Sequence, residues 1–152
     1  MKKGKSFFFP KLVREIEKIM SGEFNNIKFI IETDFSVIDN IYTLHNYLAN
    51  IFSNLISNSI KYRQANADPV IKIKSEVREQ KLILTFKDNG IGVDLNKIGD
   101  DLFGLYKRFH FHVEGKGLGL YMVKTQVEML GGKINVESAV GQGTEFRIEF
   151  NL

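Results

Sequence analysis

The sequence predicts an α+β domain: one mixed β-sheet with helices on one face, forming a two-layer α/β sandwich. Three observations lead there. Segments of helical character lie at Phe7–Met20, Thr43–Tyr62 and Gly117–Leu130. Between and after them, short runs rich in β-branched and aromatic residues read as strands: Ile27–Glu32, Pro69–Lys74, Lys81–Phe86, Lys133–Glu137 and Thr144–Phe150. The chain has 152 residues, 43% hydrophobic and 26% charged, enough for one compact domain with a real core.

In chain order, residues 1–6 read as a disordered tail or expression remnant, and the domain proper as 7–152. Pro10 suits a first helical turn, and Leu12, Val13, Ile16, Ile19 and Met20 recur at helical spacing before Ser21-Gly22 ends the helix. A weaker strand is expected at Phe35–Ile38. The long helix carries Leu44, Tyr47, Leu48, Ile51, Leu55 and Ile56 on its apolar face. The next two strands alternate like a pair, with Arg78-Glu79-Gln80 as their turn, and the second runs directly into Asp88. Asp94–Gly115 shows no clear period, and structureless segments of that length in compact domains are usually lids or disordered. Gly131-Gly132 closes the last helix, and Gly141-Gln142-Gly143 turns the final strand pair.

Composition narrows the function. The net charge is only +3, and Lys2, Lys3 and Lys5 account for an excess of that size, so nucleic acid is not an expected partner. The absence of cysteine removes disulfides and thiolate zinc sites. No apolar run approaches the ~18 residues of a membrane span, so no direct membrane contact is expected of this segment.

Three groups of residues carry chemistry. Asn46, Asn50, Asn54 and Asn58 stand at steps of four, followed by Lys61, and on a helix they form one polar stripe opposite the apolar face. The plain alternative is a solvated surface. Asparagine is a poor helix former, however, and its amide oxygen is a hard neutral ligand suited to Mg²⁺. Asp88-Asn89-Gly90-Ile91-Gly92 follows a strand. It is ordinary turn chemistry, or else a carboxylate placed to accept from the exocyclic amine of adenine, where guanine presents a repelling carbonyl. Gly115-Lys116-Gly117-Leu118-Gly119-Leu120 opens a helix, where free backbone N–H groups bind phosphate. Neither a Walker pattern nor a Rossmann turn fits it. His45, His110 and His112 lack carboxylate or cysteine partners at ligand spacing.

Taken in order, these motifs resemble those of the catalytic, ATP-binding domain of sensor histidine kinases, within the Bergerat superfamily that also holds gyrase, chaperone and mismatch-repair ATPases. The resemblance covers nearly everything from Phe7 to Leu152. Asn54–Tyr62 resembles the asparagine box, Asp88–Gly92 the first glycine box and Leu102-Phe103 through Arg108 the phenylalanine box. Gly115–Leu120 resembles the second glycine box and Gly141–Thr144 the last.

The resemblance implies roles residue by residue. Asn58 coordinates Mg²⁺ with Asn54 beside it, Lys61 contacts phosphate and Tyr62 packs by the nucleotide. Asp88 selects adenine, with Gly90 and Gly92 close to the ring and Thr144 supporting the hydrogen bonds. Phe103 anchors the lid, Arg108 approaches the γ-phosphate, and Gly115, Gly117, Leu118 and Gly119 cradle phosphates. Asn58, Lys61 and Arg108 are the expected catalytic groups, and ATP with Mg²⁺ the expected cofactors. The superfamily's hydrolysing members carry a glutamate four residues before the metal-binding asparagine. Here that position is Asn54, which cannot act as a general base. Gly104 and Leu105 stand where the family often has acidic or polar residues. No phosphoacceptor histidine followed by an acidic residue is present, so the implied partners are a separate dimerisation and phosphoacceptor domain and a response-regulator receiver domain, in the cytoplasm.

Overall fold

The computed structural model of the protein describes residues 4–43, 46–103 and 119–152. Its centre is a five-stranded mixed sheet of β2 (Ile30–Asp34), β4 (Val70–Arg78), β5 (Lys81–Asp88), β6 (Lys133–Ala139) and β7 (Gly143–Asn151), in the spatial order β2-β4-β5-β7-β6. β2 runs parallel to β4; the other pairs are antiparallel. Glu79 and Gln80, both at positive φ, make the tight β4–β5 turn, the conformation that matches the twist of a two-residue hairpin.

Strand periodicity sorts the two faces. Ile71 and Ile73 of β4 stand with Leu82, Leu84 and Phe86 of β5 and with Phe146, Ile148 and Phe150 of β7, all buried on one face. Against them pack α1 (Phe9–Glu23) and α2 (Leu48–Lys61), with α4 (Gly119–Met129) adding Val123 and Val127 to the same core. The opposite face carries Lys72, Lys74, Glu76, Lys87, Arg147 and Glu149. Phe52 of α2 is fully buried, 5.0 Å edge-on to Phe86 and 5.9 Å from Phe9 in a stacked pair. This aromatic contact fixes the depth of α2 on the sheet.

The fold class and the principal strands agree with the sequence reading; several boundaries do not. Residues Lys5–Phe8 form a strand, β1, paired antiparallel with β3 (Asn40–Thr43) in a second, two-stranded sheet. Lys5 and Ser6 thus leave the expected loose tail, and Phe7 leaves α1. The weak strand expected at Phe35–Ile38 is a bend instead: Ser36 donates its N–H and its hydroxyl to Asp34 Oδ1 at 3.1 and 2.6 Å. Local side-chain bonds of this kind compete with a ladder. The strand falls later because β1, far away in sequence, supplies its partner. α2 begins at Leu48 rather than Thr43, leaving Asn46 in the preceding turn. Ile19 is 63% exposed, whereas Phe9, outside the predicted stripe, is fully buried. Asp94–Gly115 is not uniformly without structure: α3 (Leu95–Ile98) is capped by Asp94 Oδ1, which accepts from Asn96 N at 3.0 Å, and a 3-10 turn follows at Gly99–Phe103. Residues 104–118 lie outside the described part.

Candidate functional site

Strand parity aims Asp88. It is last in β5 and shares the face of Leu82, Leu84 and Phe86, so its carboxylate points into the helix layer where the sheet ends. There Ser59 of α2 donates its hydroxyl to Oδ2 at 2.8 Å, while Gly90 N and Thr144 N donate to Oδ1 at 2.9 and 3.1 Å. Burial pushes the carboxyl above its usual range, and the donors from Gly90, Ser59 and Thr144 pull against that shift. A carboxylate offers about four acceptor positions. Oδ1 has two donors and Oδ2 one, so Oδ2 retains capacity for a further N–H.

The surrounding turns are shaped by contact. Gly92 has φ +68°, and a Cβ there would lie 2.0 Å from the Ala139 carbonyl oxygen. Gly143 has φ +83°, and a Cβ there would lie 2.1 Å from the Asp88 carbonyl oxygen. Only glycine meets both demands. A Cβ on Gly90 would lie 2.6 Å from the Tyr62 carbonyl oxygen, which also accepts from Ile91 N at 2.9 Å. Ser138 Oγ accepts from Val93 N at 2.9 Å, contacts Thr144 Oγ1 at 2.9 Å, and donates to the Gly143 carbonyl at 3.0 Å. Asn89 folds its side chain away, accepting from Val70 N at 2.9 Å and donating to the Asp68 carbonyl at 3.1 Å. A carboxylate, close-packed glycines and a fixed backbone therefore form one polar end.

The other end lies along α2. Asn50 Nδ2 donates to Gln126 Oε1 of α4 at 2.6 Å, and Asn54 Nδ2 to the Asn50 carbonyl at 3.0 Å. The first residue of α4 arrives over this stripe: the Cβ position of Gly119 is 3.2 Å from Asn54 Oδ1 and 3.9 Å from Asn58 Nδ2. Asn58, Lys61 and Tyr62 are half-buried, with Lys61 in the last turn of α2 and Tyr62 capping it. Since Ser59 touches Asp88, Asn58 sits one residue from the carboxylate's own helix contact. Phe103, half-buried, lies 6.2 Å edge-on to Phe146, with Lys124 Nζ 5.7 Å above its ring.

A family model described as histidine kinase-, DNA gyrase B-, and HSP90-like ATPase matches residues 44–152. The chain belongs to this ATPase family.

Its relatives are of the sensor-kinase kind. It is 34% identical to cyanobacterial phytochrome A of Nostoc sp., over 87% of this chain and 18% of that protein. It is 32% identical to the sensor protein kinase WalK of Staphylococcus haemolyticus, over 77% of this chain and 19% of that protein. The chain thus spans about a fifth of each of these two relatives. The catalytic domain of histidine kinase ThkA shares the fold at TM-score 0.75 and 24% identity, with 97% of each chain covered. The chain is accordingly an ATP-binding catalytic domain of the sensor histidine kinase type.

Of the residues singled out in the sequence, this ATPase domain brings together Asp88, Gly90, Gly92 and Thr144 at one end. Asn54 and Asn58 of α2 face Gly119, the first residue of α4, at the other; Lys61 ends α2, and Tyr62 caps it with its carbonyl accepting from Ile91 N of the Asp88–Gly92 loop. Phe103 stands apart, against β7. Arg108, Gly115, Gly117, Leu118 and the three histidines lie outside the described residues. Sequence reasoning passed over Ser59, Gln64, Asn89 and Ser138, whose importance comes from partners far along the chain.

Proposed function

We propose that this ATPase domain holds Mg²⁺-ATP between α2 and the start of α4 and presents the γ-phosphoryl group to a histidine. That histidine belongs to the dimerisation and phosphoacceptor domain of the same kinase, and the receiver domain of a response regulator takes the phosphoryl group from it. The observation that carries the reading is Asp88: a half-buried carboxylate held by three donors from α2, its own loop and β7, with acceptor capacity left on Oδ2. The exocyclic amine of adenine is the complementary donor, and guanine's carbonyl in its place is repelled.

The donor set along α2 fits a hard cation. Asn58 would hold Mg²⁺ through its neutral amide oxygen with Asn54 beside it, and the ion would supply charge neutralisation at the phosphates. Lys61 and Arg108 neutralise phosphate charge, Gly115, Gly117, Leu118 and Gly119 offer backbone amides, and Tyr62 packs by the nucleotide. An imidazole nitrogen of the acceptor histidine forms an N–P bond as the bond from the γ-phosphorus to the β,γ-bridging oxygen breaks, and ADP leaves. Positioning and electrostatics do the work. Asn54 cannot take a proton from water, so hydrolysis without an acceptor is slow. A domain that draws on ATP and serves a receiver domain works in the cytoplasm.

The test adds γ-labelled ATP to this chain with and without a histidine-bearing acceptor domain. Acid-labile, base-stable label on the acceptor and little free phosphate without it are expected. Equally fast ATP turnover with and without the acceptor would make the chain an ATPase and overturn the reading.

A further inference from the structure

Gln64 lies in the loop after α2, half-buried, and belongs to none of the motifs that point to nucleotide. Its Nε2 is 3.2 Å from the Asn89 carbonyl, 3.2 Å from the Gly90 carbonyl and 3.3 Å from the Gly141 carbonyl. All three partners can only accept, so the amide nitrogen rather than the oxygen must face them. The first two carbonyls belong to the loop that Asp88 opens. The third belongs to the β6–β7 turn, whose Thr144 donates to Asp88 Oδ1 at 3.1 Å. Without a donor, three carbonyl dipoles would converge with nothing between them.

We propose that Gln64 is a positioning residue for adenine selection: its single amide ties the end of α2, the Asp88–Gly92 loop and the 141–143 turn into one frame. The backbone ladder starts the frame, with Ile91 N donating to the Tyr62 carbonyl and Gly141 N to the Ile91 carbonyl, at 2.9 and 2.8 Å. Gln64 closes it from the side. It acts through Gly92 and Asp88, on the base rather than on the phosphates, because its three partners flank the carboxylate and not the start of α4. The bonds are longer than the usual 2.9–3.0 Å and share two protons among three acceptors, so each is weak and the joint effect is modest.

The inference rests on the nucleotide reading above, and the experiment separates the two. Wild type, Gln64→Ala, Gln64→Glu and Asp88→Asn chains are titrated calorimetrically with Mg²⁺-ATP, Mg²⁺-GTP and Mg²⁺-tripolyphosphate, after thermal melting has established that each is folded. Gln64→Ala should bind ATP about fivefold more weakly, the equivalent of one ordinary hydrogen bond. Gln64→Glu keeps the shape but sets a carboxylate against three carbonyls, so its loss should be larger, above about tenfold. Tripolyphosphate affinity should stay at the wild-type value in both, and the ATP-to-GTP preference should shrink. If wild type binds ATP and Asp88→Asn does not, yet both Gln64 variants match wild type, the positioning role falls and the nucleotide reading stands. Equal weakening for ATP and tripolyphosphate would also overturn it, marking a general loosening. A wild-type chain that binds no ATP would remove both.

Discussion

The two ends of the site are built on opposite plans. At the end proposed to read the base, Asp88 has three donors, Ser138 bonds to the Val93 segment and to β7, and Asn89 ties its loop to Asp68 and Val70 at the start of β4. Three glycines there, Gly90, Gly92 and Gly143, leave no room for a Cβ. At the end proposed to hold the phosphates the groups stand on two helices, and among the described residues no side-chain hydrogen bond or ion pair ties Asn58 or Lys61. Recognition of a flat heterocycle needs fixed donors and acceptors, whose order is established on folding rather than on binding. Holding a metal and a phosphoryl group that must leave calls for groups not already committed elsewhere. The contrast also predicts where substitutions should damage the fold and where they should damage only binding.

The largest expected effect is on the base end. Gly143→Ala puts a Cβ against the Asp88 backbone at a φ that side chains rarely adopt. It should cost more than about 3 kcal/mol in urea unfolding, or leave the chain unfolded. Wild-type stability in this variant would mean that the turn relaxes and the base end is not rigid.

Asn58→Ala should do the reverse. Stability should stay within about 0.5 kcal/mol of wild type, as for surface changes in general. ATP affinity in Mg²⁺ should drop about tenfold, the scale of one good polar contact. The difference between titrations with and without Mg²⁺ should vanish. Undiminished Mg²⁺ dependence would remove Asn58 from the metal.

Titration of Asp88 sharpens the contrast. Its folded pKa is raised by burial, so the folded chain holds that proton more tightly than the unfolded one. The stability contributed by this group is present below the ordinary carboxylate value of about 3.9 and is lost as pH rises through the folded value. Asp88→Asn keeps an acceptor for Gly90 N and Thr144 N and lacks the titration. Urea unfolding should therefore favour the variant increasingly as pH rises from about 3.9 through the folded value, and by a constant amount above it. A stability difference independent of pH would contradict the buried placement.

The smallest effect belongs to Gly119→Ala. The new methyl would meet the Asn54 amide oxygen at 3.2 Å, the end of a side chain that can turn. Stability should change by less than about 1 kcal/mol, since alanine also favours the helix. A loss as large as that of Gly143→Ala would erase the distinction between the two ends.

What was legible in the sequence follows from distance along the chain. The placement of Asp88 could be read because β5 alternates directly into it, and that of Asn54, Asn58 and Lys61 because one helix carries them at steps of four and three. The sheet's core face followed from the same alternation. The short sheet of β1 and β3 could not be read, since each strand exists only through a partner more than thirty residues away. Phe35–Ile38 looked like a strand until the Asp34–Ser36 bonds bent it. Ser59 and Gln64 gave no signal, because a serine on a helix and a glutamine in a loop acquire meaning only from the carboxylate and the carbonyls beside them.

The central claim is that Asp88 reads adenine. The direct test is calorimetric titration of ATP, with and without Mg²⁺, against the wild-type chain and Asp88→Asn. Saturable binding that Mg²⁺ strengthens, reduced at least about 100-fold by a substitution that sets an amine against an amine, is expected. Equal ATP affinity in the two chains would contradict the account, because the half-buried carboxylate would then be a structural cap on a turn rather than the base-reading group.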